Sequence, residues 1–517
     1  MKDVSRINID ALLKLPTTCP ETVTVCRHAA GWLSEDVRYR TVRRRAANGA
    51  PRAKLSDEQV AALLQHGVVR RIPRSAVKGW VRMFTVPEAA KRRFRPIKHT
   101  ADVNDALGKE SLLKLRFPSK ASLVGLVHHG THAIALDFAA YFDQFLYTES
   151  IGEMFCFRHG QDYFCLRTLA MGQRQAVEVA ATTTALLLDF PGRRTHVEAC
   201  IDNVIFVGSE EDVLRDAREF VARVRAVNGQ LNENVDDLPS LVAQRVDWCG
   251  VALNFVDKSV ALTKKTLEKV AISWGQRASW SWRGFAAHVG LLFWAWGILD
   301  LPMAEFFPLL SFVSRVGRSM TEDESQWDAP AFIWDSVWPV LDRWTGMLSA
   351  NAPRTVPRVR TPEWLVMTDA SRWGWGYVAL NEVSGELRHS GAPWSDFMEH
   401  THGDKLGSSV FAEPFGVLFS LRHLLQRGST ARVRLATDNT ATQASFQRGF
   451  NARSPAINWC IAEMRRSFPQ LAIDFIYVAG SSNLADTFSR GGFIGRAEEA
   501  GMAGSLRRLV GATLQQL

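Results

Sequence analysis

The most constraining feature of this chain is a pair of short apolar runs, each ending in an aspartate. The first, Ala133-Ile134-Ala135-Leu136, leads into Asp137 and then into the aromatic-rich stretch Phe138 to Phe145. The second, Ala199-Cys200-Ile201, leads into Asp202-Asn203 and is followed at once by Val204-Ile205-Phe206-Val207. The first reads as a buried strand. The second reads as a hairpin with a tight Asp-Asn turn, because two β-prone runs flank two turn-forming residues. Carboxylates at the ends of strands in one sheet can share divalent metals, and a metal pair so held activates one oxygen and stabilises another during phosphoryl transfer.

A chain of 517 residues has room for several domains, and its 46% hydrophobic and 22% charged residues are those of a globular protein. The net charge of +9 is compatible with a nucleic-acid partner. Seven cysteines, at positions 19, 26, 156, 165, 200, 249 and 460, form no Cys-x-x-Cys pair. They point away from a zinc knuckle or disulfide framework and towards a reducing compartment. No signal-peptide core follows Met1, and the longest apolar stretch, Val289 to Leu299, is too short to span a bilayer. The expectation is an intracellular protein of cytoplasm or nucleus, neither secreted nor in a membrane.

Residues 1–55 are poorly patterned and carry a basic run from Arg38 to Lys54, which reads equally as a solvated arm or as a phosphate-contacting one. Regular patterning starts at Ser56, the expected N-cap of a helix that runs to Gly67. An alternating strand, Trp80 to Pro87, precedes the basic turn Lys91-Arg92-Arg93-Phe94-Arg95 and the sequence Pro96-Ile97. Phe164 to Ala176 contains Gly172, the near-apolar run Ala176–Leu188 reads as a buried helix, and Glu210–Val227 reads as an amphipathic one. Val246 to Leu253 reads as a further hairpin. A tryptophan-rich helical section follows, with nine tryptophans between Trp274 and Trp344, most of them read as core.

These motifs, in this order, resemble the reverse transcriptases of retroelements, nearest the DIRS-like group with its VIPER-like branch and the gypsy-like elements. Asp137 with Phe142, Gln144 and Phe145 is similar to the first catalytic motif, and Cys200-Ile201-Asp202-Asn203 to the second, usually Tyr-x-Asp-Asp. The resemblance implies that Asp137 and Asp202 bind metal, that Phe142 walls the sugar, and that Asn203 stands where a second aspartate is usual. It implies that Arg95, helped by Lys91 or a neighbouring arginine, grips the incoming triphosphate. It also implies that Gly172 lets backbone lie close to template and nucleotide.

A second acidic pattern begins at Thr368-Asp369-Ala370-Ser371 and continues through Gly374-Trp375-Gly376. Glu413 follows early in an expected helix, Asp438 at a strand end, and Asp486 in Asn483-Leu484-Ala485-Asp486-Thr487-Phe488-Ser489-Arg490. This order of Asp, Glu, Asp and Asp resembles ribonuclease H. The resemblance implies a second metal pair on Asp369, Glu413, Asp438 and Asp486 that cleaves RNA in an RNA–DNA hybrid.

The expected fold is therefore α/β and α+β multidomain: a right-hand polymerase with fingers, palm and thumb, then a connection and a ribonuclease H-like α/β domain. The expected boundaries are 1–55 for a basic extension, 56–262 for fingers and palm, 263–360 for thumb and connection, 361–492 for the ribonuclease H-like domain and 493–517 for a tail with a short amphipathic helix. The implied activity is RNA-directed DNA synthesis with hybrid cleavage. It would use two Mg²⁺ or Mn²⁺ ions per site, an RNA template, a DNA primer, the RNA–DNA hybrid and deoxynucleoside triphosphates. The alternative is a domesticated, non-catalytic RNA-binding scaffold of the same fold. No aspartic protease, zinc-bearing integrase or recombinase pattern is present.

Overall fold

The computed structural model describes residues 4–42, 53–88, 93–107, 113, 115–356, 362–492 and 496–511. Lys91, Arg92 and the arginines at 43, 44, 45 and 52 lie outside the described residues. The fold is mixed α/β and divides into two compact units, Met1–Thr263 and Lys264–Leu517.

In the first unit, α1 (Pro20–Ala30) precedes α2 (Asp57–Gln65). Ser56 caps α2 through a reciprocal box with Gln59, and Asp57 and Glu58 sit on the positive end of its dipole. Then come β1 (Val69–Ile72), the hairpin β2 (Arg82–Glu88) and β3 (Arg93–His99), and α3 (Ala101–Leu107). The central sheet is built from β4 (His132–Asp137), whose partners arrive later in the chain. The strands β5 (Cys156–His159) and β6 (Asp162–Leu166) pair with β1 in a separate sheet ordered β1-β6-β5. After α4 (Ala176–Leu188), the hairpin β7 (His196–Cys200) and β8 (Asn203–Gly208) completes an antiparallel sheet ordered β4-β8-β7.

That sheet rests on helices because its own strands are apolar on the face they present. Ile134, Leu136, Val204 and Phe206 join one core with Val179, Ala180 and Leu187 of α4 and with Val213, Ala217, Phe220 and Val224 of α5 (Glu210–Ala226). The spacing of those α5 residues is the i, i+4, i+7 stripe of a helix with one buried face. Three acids fill the first turn of α5, and Arg223 and Arg225 fill its last. A meander of β9 (Arg245–Trp248), β10 (Val251–Asn254) and β11 (Ser259–Leu262) closes the unit.

The segment 4–42 differs from the expected unpatterned extension. Ile7, Leu12, Cys26, Trp32 and Tyr39 are buried in the same core as the central sheet. Its longest helix, α1, buries small residues, Cys26, Ala29 and Ala30, so it carries little of the large-residue periodicity that marks a helix in sequence.

In the second unit, α6 (Lys264–Gly275), α7 (Trp282–Leu299), α8 (Phe307–Glu322) and α9 (Trp338–Ala350) form a helical part. Trp280 and Trp344 are buried, as expected of core tryptophans, whereas Trp334 is exposed. His288 of α7 is fully buried between the rings of Trp274 and Trp280 and bonds Ser273 Oγ and Thr345 Oγ1, both at 3.1 Å. Burial holds its pKa down at about 4.

The rest of the unit is a five-stranded mixed sheet. Its strands are β12 (Trp364–Ala370), β13 (Gly374–Asn381), β14 (Leu387–Pro393), β15 (Arg432–Thr437) and β16 (Ala472–Tyr477), in the spatial order β14-β13-β12-β15-β16. The first three pair antiparallel, and β12–β15 and β15–β16 pair parallel. Helix α10 (Ser409–Leu424) covers β12 and β13, with α11 (Thr440–Arg448) and α12 (Pro455–Ser467) beside it. The strand β12 is buried along nearly its whole length, which is why its sequence runs apolar without alternation. The four-residue helix α13 (Asp486–Ser489) lies so close to β13 that a Cβ on Gly376 would meet Phe488 Cβ and Ser489 N at 2.6 Å. Helix α14 (Arg496–Leu506) lies in the tail, and Met502, Leu506 and Val510 pack on Leu365 and Met367. No helix among the described residues is long and apolar enough to cross a membrane.

Candidate active sites

In the first unit Asp137 ends β4 and stands opposite Asn203, the first residue of β8. Beyond that pair, Phe138 N–H donates to the carbonyl of Asp202 at 3.1 Å, so Asp137 and Asp202 share the end of one sheet. The hairpin turn sits one residue earlier than its sequence suggests. Cys200 pairs with Asn203, and the two residues between them are Ile201 and Asp202, not Asp202 and Asn203. Ile201 adopts φ 59°, a region costly for a β-branched side chain. Its carbonyl accepts from Thr184 Oγ1 at 2.6 Å, and Tyr141 hydroxyl lies 2.9 Å from that same oxygen. A buried threonine of α4 thus pins the strained turn that presents Asp202.

Asp137 is held from the opposite side by a segment that the sequence reading passed over. Asn232 N–H donates to its carbonyl at 2.8 Å, Asn232 Nδ2 to Oδ2 at 2.9 Å, and Asp137 N–H donates to Glu233 Oε2 at 2.9 Å. Burial raises the pKa of Asp202 above the usual carboxylate range. Hydrogen bonds from its own backbone and from Asn203 Nδ2 (3.1 Å to Oδ1), and the charge of Arg95, oppose that shift. Arg95 is exposed and its Nη2 lies 3.0 Å from Met171 Sδ. Phe142 is half-buried against the core.

Gly172 makes its close approach within the protein, since a Cβ there would meet the carbonyl oxygen of Lys98 at 2.6 Å. The adjoining Gln173 donates to Tyr39 hydroxyl at 2.8 Å, so the N-terminal segment braces this loop. Cys249, at the tip of the β9–β10 turn, is a thiol neighbour of Cys200, and its hydrogen bond favours the Cys200 thiolate.

In the second unit the register of the parallel pair decides the geometry. Met367 is opposite Ala436, so two residues further on Asp369 and Asp438 leave adjoining strands at the same carboxyl-terminal end. Glu413 reaches them from α10. One ligand oxygen from each of the three lies within 4.8 Å of the others. Asp369 is 4% exposed and Glu413 3%. Glu413 accepts from Ala370 N–H at 3.2 Å and from Thr437 Oγ1 at 3.3 Å. Asp369 accepts from Asn483 Nδ2 at 3.0 Å and from the Ser489 hydroxyl.

Burial, and then the neighbouring charges of Asp369 and Asp438, push Glu413 up to about 9. Burial lifts Asp369 to about 6, the Ser489 hydrogen bond opposing and Asp438 and Asp486 adding. The raised values of Glu413 and Asp369 mark a place where negative charge is costly, and a divalent cation would relieve that cost. An all-oxygen donor set of this kind fits a hard cation such as Mg²⁺ or Mn²⁺.

Asp486, the fourth acid of the pattern, is not among the three. Its carboxylate is clasped by Arg490, with Nε 3.0 Å from both oxygens and Nη2 2.9 Å from Oδ1. Asn483, Ser489 and Arg490 were not singled out for roles in the sequence, although all three lie within the motif that contains Asp486.

No protein-family model matches the chain, and no curated protein does. Among solved structures, similar chains are foamy viral protease-reverse transcriptases. The dRH form in complex with double-stranded DNA is 13% identical, with a TM-score of 0.46 and coverage of 84% of this chain and 72% of that one. A complex with RNA/DNA hybrid is 13% identical, with a TM-score of 0.44 and coverage of 83% and 55%. A complex with double-stranded DNA is 12% identical, with a TM-score of 0.45 and coverage of 91% and 96%.

Proposed function

We propose that this chain is an RNA-directed DNA polymerase with ribonuclease H activity, of the kind encoded by DIRS-like or gypsy-like retroelements. The observation that carries the reading is the carboxylate trio Asp369, Glu413 and Asp438, two of them buried and all three within ligand distance of one another, in a chain whose other unit also brings two aspartates to one sheet end. In this reading residues 56–262 are fingers and palm, 263–360 thumb and connection, and 361–492 the nuclease domain. The protein works inside the cell, in cytoplasm or nucleus.

Mg²⁺ or Mn²⁺, two ions per site, would supply activation of the attacking oxygen and neutralisation of phosphate charge. The chain's own residues do the rest. Asp137 and Asp202 hold the polymerase ions, and Asn232 and Thr184 fix the backbones that carry them. Arg95 offers a planar fork to the triphosphate, with Lys91 assisting. Phe142 blocks the ribose 2′-hydroxyl, and Gly172 keeps its loop close to β3. Asp369, Glu413, Asp438 and Asp486 hold the nuclease ions, with Asn483 and Ser489 orienting Asp369. Template sequence is read by base pairing, so the protein's contacts are with backbone and sugar.

The test is primer extension on an RNA template and cleavage of a labelled RNA–DNA hybrid, with wild type, Asp137→Asn and Asp438→Asn. Each variant should lose one activity and keep the other. Wild-type protein that binds hybrid but performs neither reaction would make the chain a non-catalytic scaffold.

A further inference from the structure

The ion pair between Arg490 and Asp486 carries a consequence for how the nuclease site meets its metal. The segment around Asp486 is bound to Asp369 on both sides. Asn483 and Ser489 hold the two carboxylate oxygens of Asp369, and the Ser489 hydroxyl also lies 2.9 Å from the carbonyl oxygen of Asp486. Asp486 therefore hangs from the strap that orients the buried cluster, and its charge and that of Arg490 both reach Asp369. Yet both carboxylate oxygens of Asp486 are occupied by one guanidinium. The pair is open to water, with side chains 60% and 47% exposed. Such a pair adds little to folding and exchanges readily for a stronger partner.

We propose that Arg490 is a stand-in cation: it occupies Asp486 in the metal-free protein, is displaced from it by the incoming divalent ion, and so sets the metal concentration at which the nuclease site assembles. This rests on the reading of Asp369, Glu413 and Asp438 as a metal site. Arg490 is in this sense a positioning residue, acting on the metal only through Asp486. A divalent cation offers two charges against the guanidinium's one and can be shared with Asp369, whereas the guanidinium sits on Asp486 alone. The exchange needs no change of fold, because Arg490 has solvent to turn into.

The experiment is a Mn²⁺ titration of the full chain, reading free Mn²⁺ by its electron paramagnetic resonance signal without nucleic acid. Wild type, Arg490→Gln, Arg490→Lys and Asp438→Asn are compared. Removal of the competing guanidinium should tighten the nuclease-site Mn²⁺ affinity of Arg490→Gln roughly two- to fivefold, the range that an exposed ion pair supports. Arg490→Lys keeps the charge without the fork and should fall between the two. Asp438→Asn should lose those ions. Equal affinity in wild type and Arg490→Gln, with Asp438→Asn still deficient, overturns the stand-in role and leaves the metal site intact. Equal stoichiometry and affinity in wild type and Asp438→Asn overturns the metal site itself, and the stand-in role with it.

Discussion

Glu413→Gln separates the charge of the buried cluster from its shape. In the folded protein Glu413 keeps its proton up to about pH 9, while in the unfolded chain it loses it near its ordinary value of 4.5. Between those values the folded state binds one proton more than the unfolded state. The sign follows: a folded pKa above the unfolded one gives stability that is full below pH 4.5 and is lost as pH rises towards 9. The slope is about −1.4 kcal/mol per pH unit for one proton.

Other groups titrate in and beside the same range. Asp369, raised to about 6, adds to the slope at lower pH, and His288, lowered to about 4, gives an opposite slope below its ordinary value of 6.5. From pH 6.5 to 8.5 the slope from Glu413 is opposed by that of Cys200, lowered to about 7 by its hydrogen bond with Cys249, but Cys200 is common to the two proteins compared. Glutamine has the same shape and no proton to lose. In EDTA the stability of Glu413→Gln minus that of wild type should therefore grow by roughly 3 kcal/mol across this window, as one proton's linkage gives. That corresponds to a widening gap in unfolding temperature of about 6–12 °C for a unit of this size. The assay is thermal unfolding of the full chain in one buffer series, the difference between the two proteins cancelling all other titrations. Saturating Mn²⁺ should close the gap by stabilising wild type more, and more so at pH 8.5 than at 6.5, because the ion binds the deprotonated cluster. A difference that stays constant with pH would refute the reasoning, since it would mean that Glu413 ionises in the folded protein as it does in the unfolded one.

Thr184→Val preserves volume but removes the hydroxyl between Ile201 and Tyr141. It should cost about 1–3 kcal/mol of stability, the range for orphaned buried hydrogen-bonding groups, and should slow primer extension while hybrid cleavage is kept. Asn203→Asp adds a carboxylate beside Asp202 and should lower the Mg²⁺ concentration for half-maximal extension or leave it unchanged. Lost extension in a folded variant would show that the Asn203 amide is itself required. Phe142→Val should raise ribonucleotide incorporation relative to deoxynucleotides. If Phe142 only packs, the variant will lose stability and its discrimination will not move.

Sequence made the strand-end acids visible because each closes an apolar run long enough to be buried, and buried strands end where a polar residue can first reach water. Asp369 and Asp438 follow Leu365-Val366-Met367 and Val433-Arg434-Leu435 for that reason. The turn beside Asp202 falls one residue earlier than its sequence suggests, for an equally physical reason. Asp-Asn has the higher turn propensity, but the register Cys200↔Asn203 and the anchor from Thr184 force the positive φ onto Ile201. Local preference lost to tertiary contacts. The supports of the acids were hidden altogether. Asn232, Asn483 and Ser489 lie in short polar stretches where such residues are ordinary turn formers, and only the fold shows which carboxylate each one meets.

These supports share one chemical character. Asp137 receives an amide from Asn232, Asp202 one from Asn203, Asp369 an amide and a hydroxyl, and Glu413 a backbone N–H and a hydroxyl. All of these donors are neutral. A buried lysine or arginine in their place would hold the same lone pairs and would also cancel the charge, leaving little for a divalent ion to neutralise. Neutral donors fix geometry and leave the electrostatic demand standing, which appears in the raised values of Asp202, Asp369 and Glu413. Asp486 differs, for it is exposed and its carboxylate is hydrogen-bonded by the cation Arg490. That pair lies in solvent, unlike the buried acids and their neutral donors.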